Sequence, residues 1–215
     1  MAGVDTLGMP LLARGRRPLV LFACAVWLSV LLVGFSALAR HSAEPCLPAL
    51  APERWPAAAP IARAAQQPTL VLFLHPLCPC THATLAELEV LLQRWEGELS
   101  VETVFTVDTD ADGQWMENDS FREAAHIPGV RLSIDRGGRI AQLFGARTSG
   151  QVLLYAADGR RLFAGGITLA RGHLGDNQGI EALDAWMRGA SGAASATPVY
   201  GCGLVLPLTA GSPRE

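Results

Sequence analysis

The chain contains no lysine. All 17 of its basic residues are arginine, set against 20 acidic ones, and the net charge is only -3. Charged residues of either sign are also scarce, at 17%, so nothing in the composition offers a basic face for nucleic acid. With half of the residues apolar, the chain has too little charge and too much to bury for disorder throughout. Cysteine is sparse as well. Five thiols (Cys24, Cys46, Cys78, Cys80, Cys202) are too few to staple 215 residues, which leaves the fold to a hydrophobic core. The length suits one domain with appendages and not comfortably two.

The apolar residues include one long run. Leu19 to Ala39 is 21 residues without a charge, long enough as a helix to cross about 30 Å of bilayer hydrocarbon. Arg14, Arg16 and Arg17 precede it and only Arg40 follows closely, a bias that keeps residues 1–18 in the cytoplasm and sends the rest outside. Two readings compete with an anchor: a signal peptide cleaved after Ala37-Leu38-Ala39, and a buried core helix. The Arg16-Arg17 pair is followed at once by Pro18, and nothing else supports a twin-arginine signal.

Residues 40–68 hold six prolines among many alanines and read as a semi-stiff spacer, with Cys46 near the bilayer surface as a lone or intermolecular thiol. Residues 189–215 read as a flexible tail carrying Cys202.

Between them, residues 69–188 alternate strand and helix patterns. Thr69 to Leu74 is a continuous apolar run suited to a strand buried on both faces. His82 to Trp95 places Leu85, Leu88, Leu91, Leu92 and Trp95 at helical spacing, with Glu87, Glu89 and Arg94 opposite. Val101 to Val107 is a second strand. A helix capped by a Ser120 to Glu123 box follows and ends at Pro128-Gly129. A minor strand over Val130 to Ile134, a short helix over Arg139 to Phe144 and a hairpin around Asp158-Gly159 lead to a last helix over Ile180 to Met187. The order implies an α/β fold, a mixed sheet with helices on both faces.

The chemistry gathers in His75-Pro76-Leu77-Cys78-Pro79-Cys80-Thr81-His82, where the first strand hands over to the first long helix of this domain. A thiol at a helix N-terminus is acidified by the unpaired amides and the helix dipole, which makes Cys78 the candidate nucleophile. His82 shares its helix face if the helix begins by residue 78, and His75 leaves the strand end; either imidazole, protonated, would favour the thiolate. A bond between Cys78 and Cys80 would close a small strained ring and so be easily reduced. Cys202, on its tail, is a third thiol able to reach the site.

These residues resemble the thioredoxin-like superfamily, in particular its membrane-tethered extracytoplasmic redoxins, over roughly residues 69–188. The combination of His-Pro-x-Cys-Pro-Cys-Thr with Gly-Gly-Ile-Thr and Arg-Gly-His looks like the RedB-like proteins. The resemblance implies a thioredoxin-like mixed sheet and puts Cys78 at the nucleophile. Thr81 falls where the second cysteine usually stands, Cys80 has moved inward, and Thr148-Ser149-Gly150 occupies the place of the family's cis-proline. It also places Gly165 to Gly179 beside Cys78, so that Arg171 and His173 could bind an anion or steady a thiolate while Asp176 or Asn177 orients the histidine. The plainer alternative is that Asp176-Asn177 caps the last helix and Arg171 is solvated.

Two other patterns carry less. Asp108-Thr109-Asp110-Ala111-Asp112-Gly113, with Asp119 at the twelfth position, matches a calcium loop but follows a strand rather than a helix, where acidic residues and glycine also make an ordinary loop. His126 at a helix end suits the dipole better than chemistry.

Two functions are therefore expected to compete. One is a thiol-disulfide oxidoreductase held in the inner membrane, its C-terminal domain extracytoplasmic or periplasmic. It acts on protein or small-thiol disulfides with an unidentified redox partner and uses Cys78, Cys80, Cys202, Thr81, His82 and His173 without a cofactor; a peroxidase variant belongs to the same class. The alternative is a copper-binding or copper-delivery protein that holds Cu(I) with Cys78, Cys80, His75 and His82. The charge bias makes the first prediction. A reporter fused at Glu215 should be active only outside the cytoplasm, activity confined to the cytoplasm overturns the orientation, and a soluble form beginning near Arg40 selects the cleaved signal.

Overall fold

The computed structural model describes residues 12–46 and 50–204; residues 1–11, the end of the tail from 205, and the side chains of Arg14, Arg16 and Arg17 lie outside this description. It divides into two units, Met1–His41 and Ser42–Glu215. The first consists of most of α1 (Leu12–Ala43), within which Pro18–Ala43 has a mean hydropathy of 2.5 and none of its surface buried. A helix long and apolar enough to cross a membrane, exposed along its length, is not a core helix.

In the second unit, β1 (Thr69–Leu74) lies at the centre of a five-stranded sheet. It pairs in parallel with β2 (Ser100–Val107), which pairs in parallel with the edge strand β3 (Val130–Arg136). On its other side it pairs antiparallel with β4 (Gln151–Tyr155), which forms the hairpin with β5 (Arg161–Gly166). Helix α2 (Cys80–Arg94) follows β1, α3 (Asp119–His126) and α4 (Arg139–Leu143) bracket β3, and α5 (Gln178–Met187) closes the unit.

Every residue of β1 is buried, because alternate side chains serve two different cores. Leu70, Leu72 and Leu74 meet Leu85, Leu88 and Leu91 of α2 and Ile180 and Leu183 of α5. Val71 and Phe73 face the other way, onto Ile140, Ala141 and Phe144. Helices therefore cover both faces, as the pattern of elements implies.

The sheet's edge and ends are tied by a few buried acids. Asp135, 2% exposed, accepts the amides of Ile140 and Ala141 at 2.9 and 2.8 Å and so anchors the first turn of α4. Asp184 of α5 accepts Trp95 Nε1 at 2.8 Å and Arg94 at 2.5 Å from the end of α2. Glu87, expected on the polar face, is buried instead: its side-chain carboxyl oxygen accepts the Gly175 amide at 2.7 Å, which gives that oxygen a partner and pins the loop before α5. The expected Ser120 box is also corrected, since Asn118 caps α3 by accepting the amide of Ser120 at 2.9 Å. At α5 the cap is Asn177, which accepts the Ile180 amide.

Neither flanking segment behaves as its composition suggests. In the supposed spacer, Ala51 and Ile61 are buried, the Trp55 ring meets Phe144 and Tyr155 edge-on at 5.0 and 5.3 Å, and the Trp55 amide donates to Gly159 at 2.8 Å. In the supposed flexible tail, Ala164 N donates to Ser195 O at 3.0 Å, Gly166 N to Pro198 O at 3.1 Å, and Val199 and Leu204 are buried. Both segments are straps on the domain. Small residues and prolines suit them because contact is made by backbone carbonyls and amides at close range. The second prediction follows: Trp55→Ala should destabilise the full chain by about 2 kcal/mol in denaturant unfolding, whereas a residue in a true spacer would leave the transition where it was.

Candidate functional site

The site forms where β1 ends. The His75 amide donates to Ser149 Oγ at 2.9 Å, and Thr81 Oγ1 donates to the His75 carbonyl at 3.0 Å and lies 3.2 Å from Ser149 Oγ. The Cys78 amide donates to the His75 carbonyl at 3.1 Å and the Thr81 amide to the Cys78 carbonyl at 3.0 Å, so residues 75–81 turn tightly from strand into helix. Gly150, with φ at 91°, donates its amide to the Phe73 carbonyl at 2.8 Å and brings Ser149 against that turn. Thr81, at the position of the missing second cysteine, is thus a structural link.

The tail completes the site. Ser149 N donates to Cys202 O at 2.8 Å, Leu204 N donates to Arg147 O at 2.8 Å, and Thr148 and Gly203 form an antiparallel bridge. This short pairing lays the tail along residues 147–149, where the family's proline would stand. Gly201 must be a glycine for it, because a side chain there would run into the Ser149 carbonyl. Arg171 fixes the same point: its guanidinium donates to the Gly201 carbonyl and, at 3.3 Å, to Cys46 Sγ. Cys46 in turn donates its thiol to that carbonyl at 3.2 Å and its amide to Val199 at 2.9 Å. Arg171 is therefore a clamp on the tail rather than a solvated side chain.

Three thiols are brought to this end of the sheet as a result. Burial works against a charged Cys78, but the thiol and amide of Cys202, the amide of Cys80 and the hydroxyl of Ser149 are aimed at its sulfur and hold its pKa below the ordinary value. The reverse holds for its neighbours. Burial and the adjacent Cys78 charge raise the Cys80 thiol, with Arg171 opposing. Burial, its hydrogen bond to Cys78 and that same charge push Cys202 up to about 12. Of the three thiols, Cys78 is the one whose pKa is lowered.

The histidines do not supply this effect. Helix α2 begins at Cys80, with Pro79 as its cap residue, so His82 is not one turn from an in-helix Cys78. Half exposed, it pairs with Glu123 at 2.6 Å. Burial lowers the pKa of His75, Asp108 opposing, and its Nδ1 accepts the Leu77 amide at 3.2 Å, so the ring favours its neutral form. His173 is exposed and turns Nδ1 onto the Arg171 carbonyl at 2.8 Å. His126 likewise binds the Arg122 carbonyl within its own helix. Among the described residues no group of three or more His, Cys, Asp or Glu stands close enough to hold a metal ion, in the Asp108 to Asp119 loop or elsewhere. There, Asp112 caps a turn by accepting the Gln114 amide and Asp119 pairs with Arg122. Ser149 is the participant that spacing does not reveal; its one trace is its place beside a glycine where a proline is expected.

The strand order and the position of the site define a thioredoxin-like fold. Similar solved structures include a hypothetical protein from Sinorhizobium meliloti, with TM-score 0.56 and 23% identity over 68% of this chain and 82% of that one. An uncharacterized conserved protein from Geobacillus kaustophilus gives 0.54 and 17%, over 80% and 94%. A secreted Mycobacterium tuberculosis disulfide oxidoreductase, homologous to DsbE of E. coli, gives 0.42 and 17%, over 58% and 84%. No family model and no curated protein matches the sequence.

The third prediction concerns ionisation. The Cys78 thiolate should persist to lower pH than that of an ordinary thiol and disappear as pH falls through its depressed pKa. Cys202→Ala and Ser149→Ala should each move that loss to higher pH in a titration of thiolate absorbance, whereas His82→Ala should not. An unmoved titration in the first two variants would contradict the assigned donors.

Proposed function

We propose that the protein is a membrane-anchored, extracytoplasmic thiol-disulfide oxidoreductase in which Cys78 is the activated thiol. The observation that carries this reading is the junction at the end of β1, where Ser149 receives the His75 amide and holds the Cys202 carbonyl and so brings the tail cysteine to the turn that carries Cys78. Disulfide exchange needs a thiolate, a good leaving group and a second sulfur within reach, and this site offers all three. Cys202 is the sulfur with which Cys78 forms the internal disulfide, because hydrogen bonding from Cys202 acts on Cys78 and the Cys202 backbone is held by Ser149. Cys80 is the alternate partner across the strained one-residue ring. The oxidising or reducing equivalents come from protein or low-molecular-weight disulfides and thiols. The exposed apolar helix supports attachment to a membrane, and the arginines before it favour an orientation with this chemistry outside the cytoplasm, where disulfides persist.

The fourth prediction tests turnover. The full-length protein in detergent should reduce or oxidise a model peptide disulfide, and Cys78→Ser should lower that rate by more than about a hundredfold, since the lowest-pKa sulfur is lost. Absence of exchange and of peroxide turnover, together with tight Cu(I) binding weakened alike by loss of Cys78, Cys80 or a histidine, would transfer the site to the copper reading.

A further inference from the structure

Burial divides the three thiols unequally. Cys78 is 2% exposed and Cys80 8%, whereas Cys202 is exposed on the strap that crosses the site. Exchange depends on which sulfur the attacking thiolate can approach, and a sulfur inside the fold is open to its neighbours but not to a second protein. The strap is no loose cover: it is fixed on one side by Ser149 and Arg147 and on the other by Arg171 and Cys46 acting on Gly201 and Val199.

From this asymmetry we infer that Cys202, not Cys78, is the thiol that meets the redox partner, while Cys78 exchanges only with Cys202. The inference rests on the exchange function proposed above. It also specifies the partner as a protein or peptide dithiol, or its disulfide, presenting a cysteine to the outer face of the strap.

The electron count closes without a further reagent. In the oxidised chain Cys78 and Cys202 share a disulfide. A partner thiolate attacks Cys202 Sγ, the new bond joins partner to Cys202, and the electron pair of the old bond leaves on Cys78. The second partner thiolate then attacks the partner's own bonded sulfur and releases Cys202. The partner departs oxidised by two electrons, one proton resides on Cys202, the other passes to solvent, and Cys78 remains a thiolate. A partner disulfide is reduced through the same intermediates in reverse. While bonded to the partner, the Cys202 sulfur has no proton to donate. The Cys202 and Cys80 amides and the Ser149 hydroxyl still favour the departing Cys78 thiolate, so attack at Cys202 is favoured chemically as well as sterically.

The fifth prediction maps the first adduct. Full-length protein in detergent is oxidised with glutathione disulfide, freed of reagent, mixed with a mass-tagged single-cysteine peptide, quenched with acid and digested for mass spectrometry. The tag is expected on Cys202 with Cys78 free, and Cys202→Ser, oxidised in the same way, should exchange with the peptide more than about tenfold more slowly. A first adduct on Cys78 or Cys80, or wild-type exchange by Cys202→Ser, overturns the inference and leaves the oxidoreductase reading standing. No adduct on any cysteine overturns both. The mapping on the unaltered chain decides the matter even if the variant fails to fold.

Discussion

Ser149 is the joint on which the site depends. Its hydroxyl receives the end of β1 through the His75 amide and lies against Thr81 at the start of α2, while its amide holds the tail through the Cys202 carbonyl. One residue thereby sets the relative positions of the turn that carries Cys78 and the strap that carries Cys202. A proline in its place would have no amide to give and no hydroxyl to share. A serine at this position is what lets the chain hold the Cys202 carbonyl beside the turn that carries Cys78.

The lowered pKa of Cys78 follows from the same arrangement, with the Cys80 amide at the start of α2 contributing and no imidazole among the causes. Sulfur is large and weakly hydrated, so hydrogen bonds aimed at it in a partly dry site can outweigh the cost of burying its charge. That charge then acts on the other two thiols, which sit close enough to be raised by it. Three chemically identical side chains are therefore driven apart, the Cys78 pKa downwards and those of Cys80 and Cys202 upwards.

Periodicity made the fold largely legible. The continuous apolar run Thr69–Leu74 suits a strand buried on both faces, the leucines of α2 mark one covering helix, and the Asp-Gly turn marks the β4–β5 hairpin. The site was legible in its cysteines and less so in their surroundings. His75 and His82 are near Cys78 in sequence, but one is desolvated and the other faces Glu123, and spacing reports neither burial nor rotamer. Glu87 was misassigned for a similar reason: a carboxylate on a helix counts as polar until a loop from elsewhere in the chain supplies a buried amide for it.

The two straps failed a different test. Stretches rich in proline, alanine and glycine read as unattached because their side chains offer little apolar area to bury. Yet small side chains are what allow one backbone to lie directly on another. Gly166 tolerates no Cβ beside Pro198 and Val199, and Gly201 tolerates none beside Ser149, so the tail is held by amide-to-carbonyl bonds at distances that larger residues would forbid. Composition measures how much a segment can gain from side-chain burial and is silent about this second way of attaching. Where such a segment also carries a cysteine, as both straps do here, backbone contacts share with a few side chains, Arg171 among them, the work of positioning it. The chemistry of the site is thus assembled from the parts of the sequence with the weakest local signal.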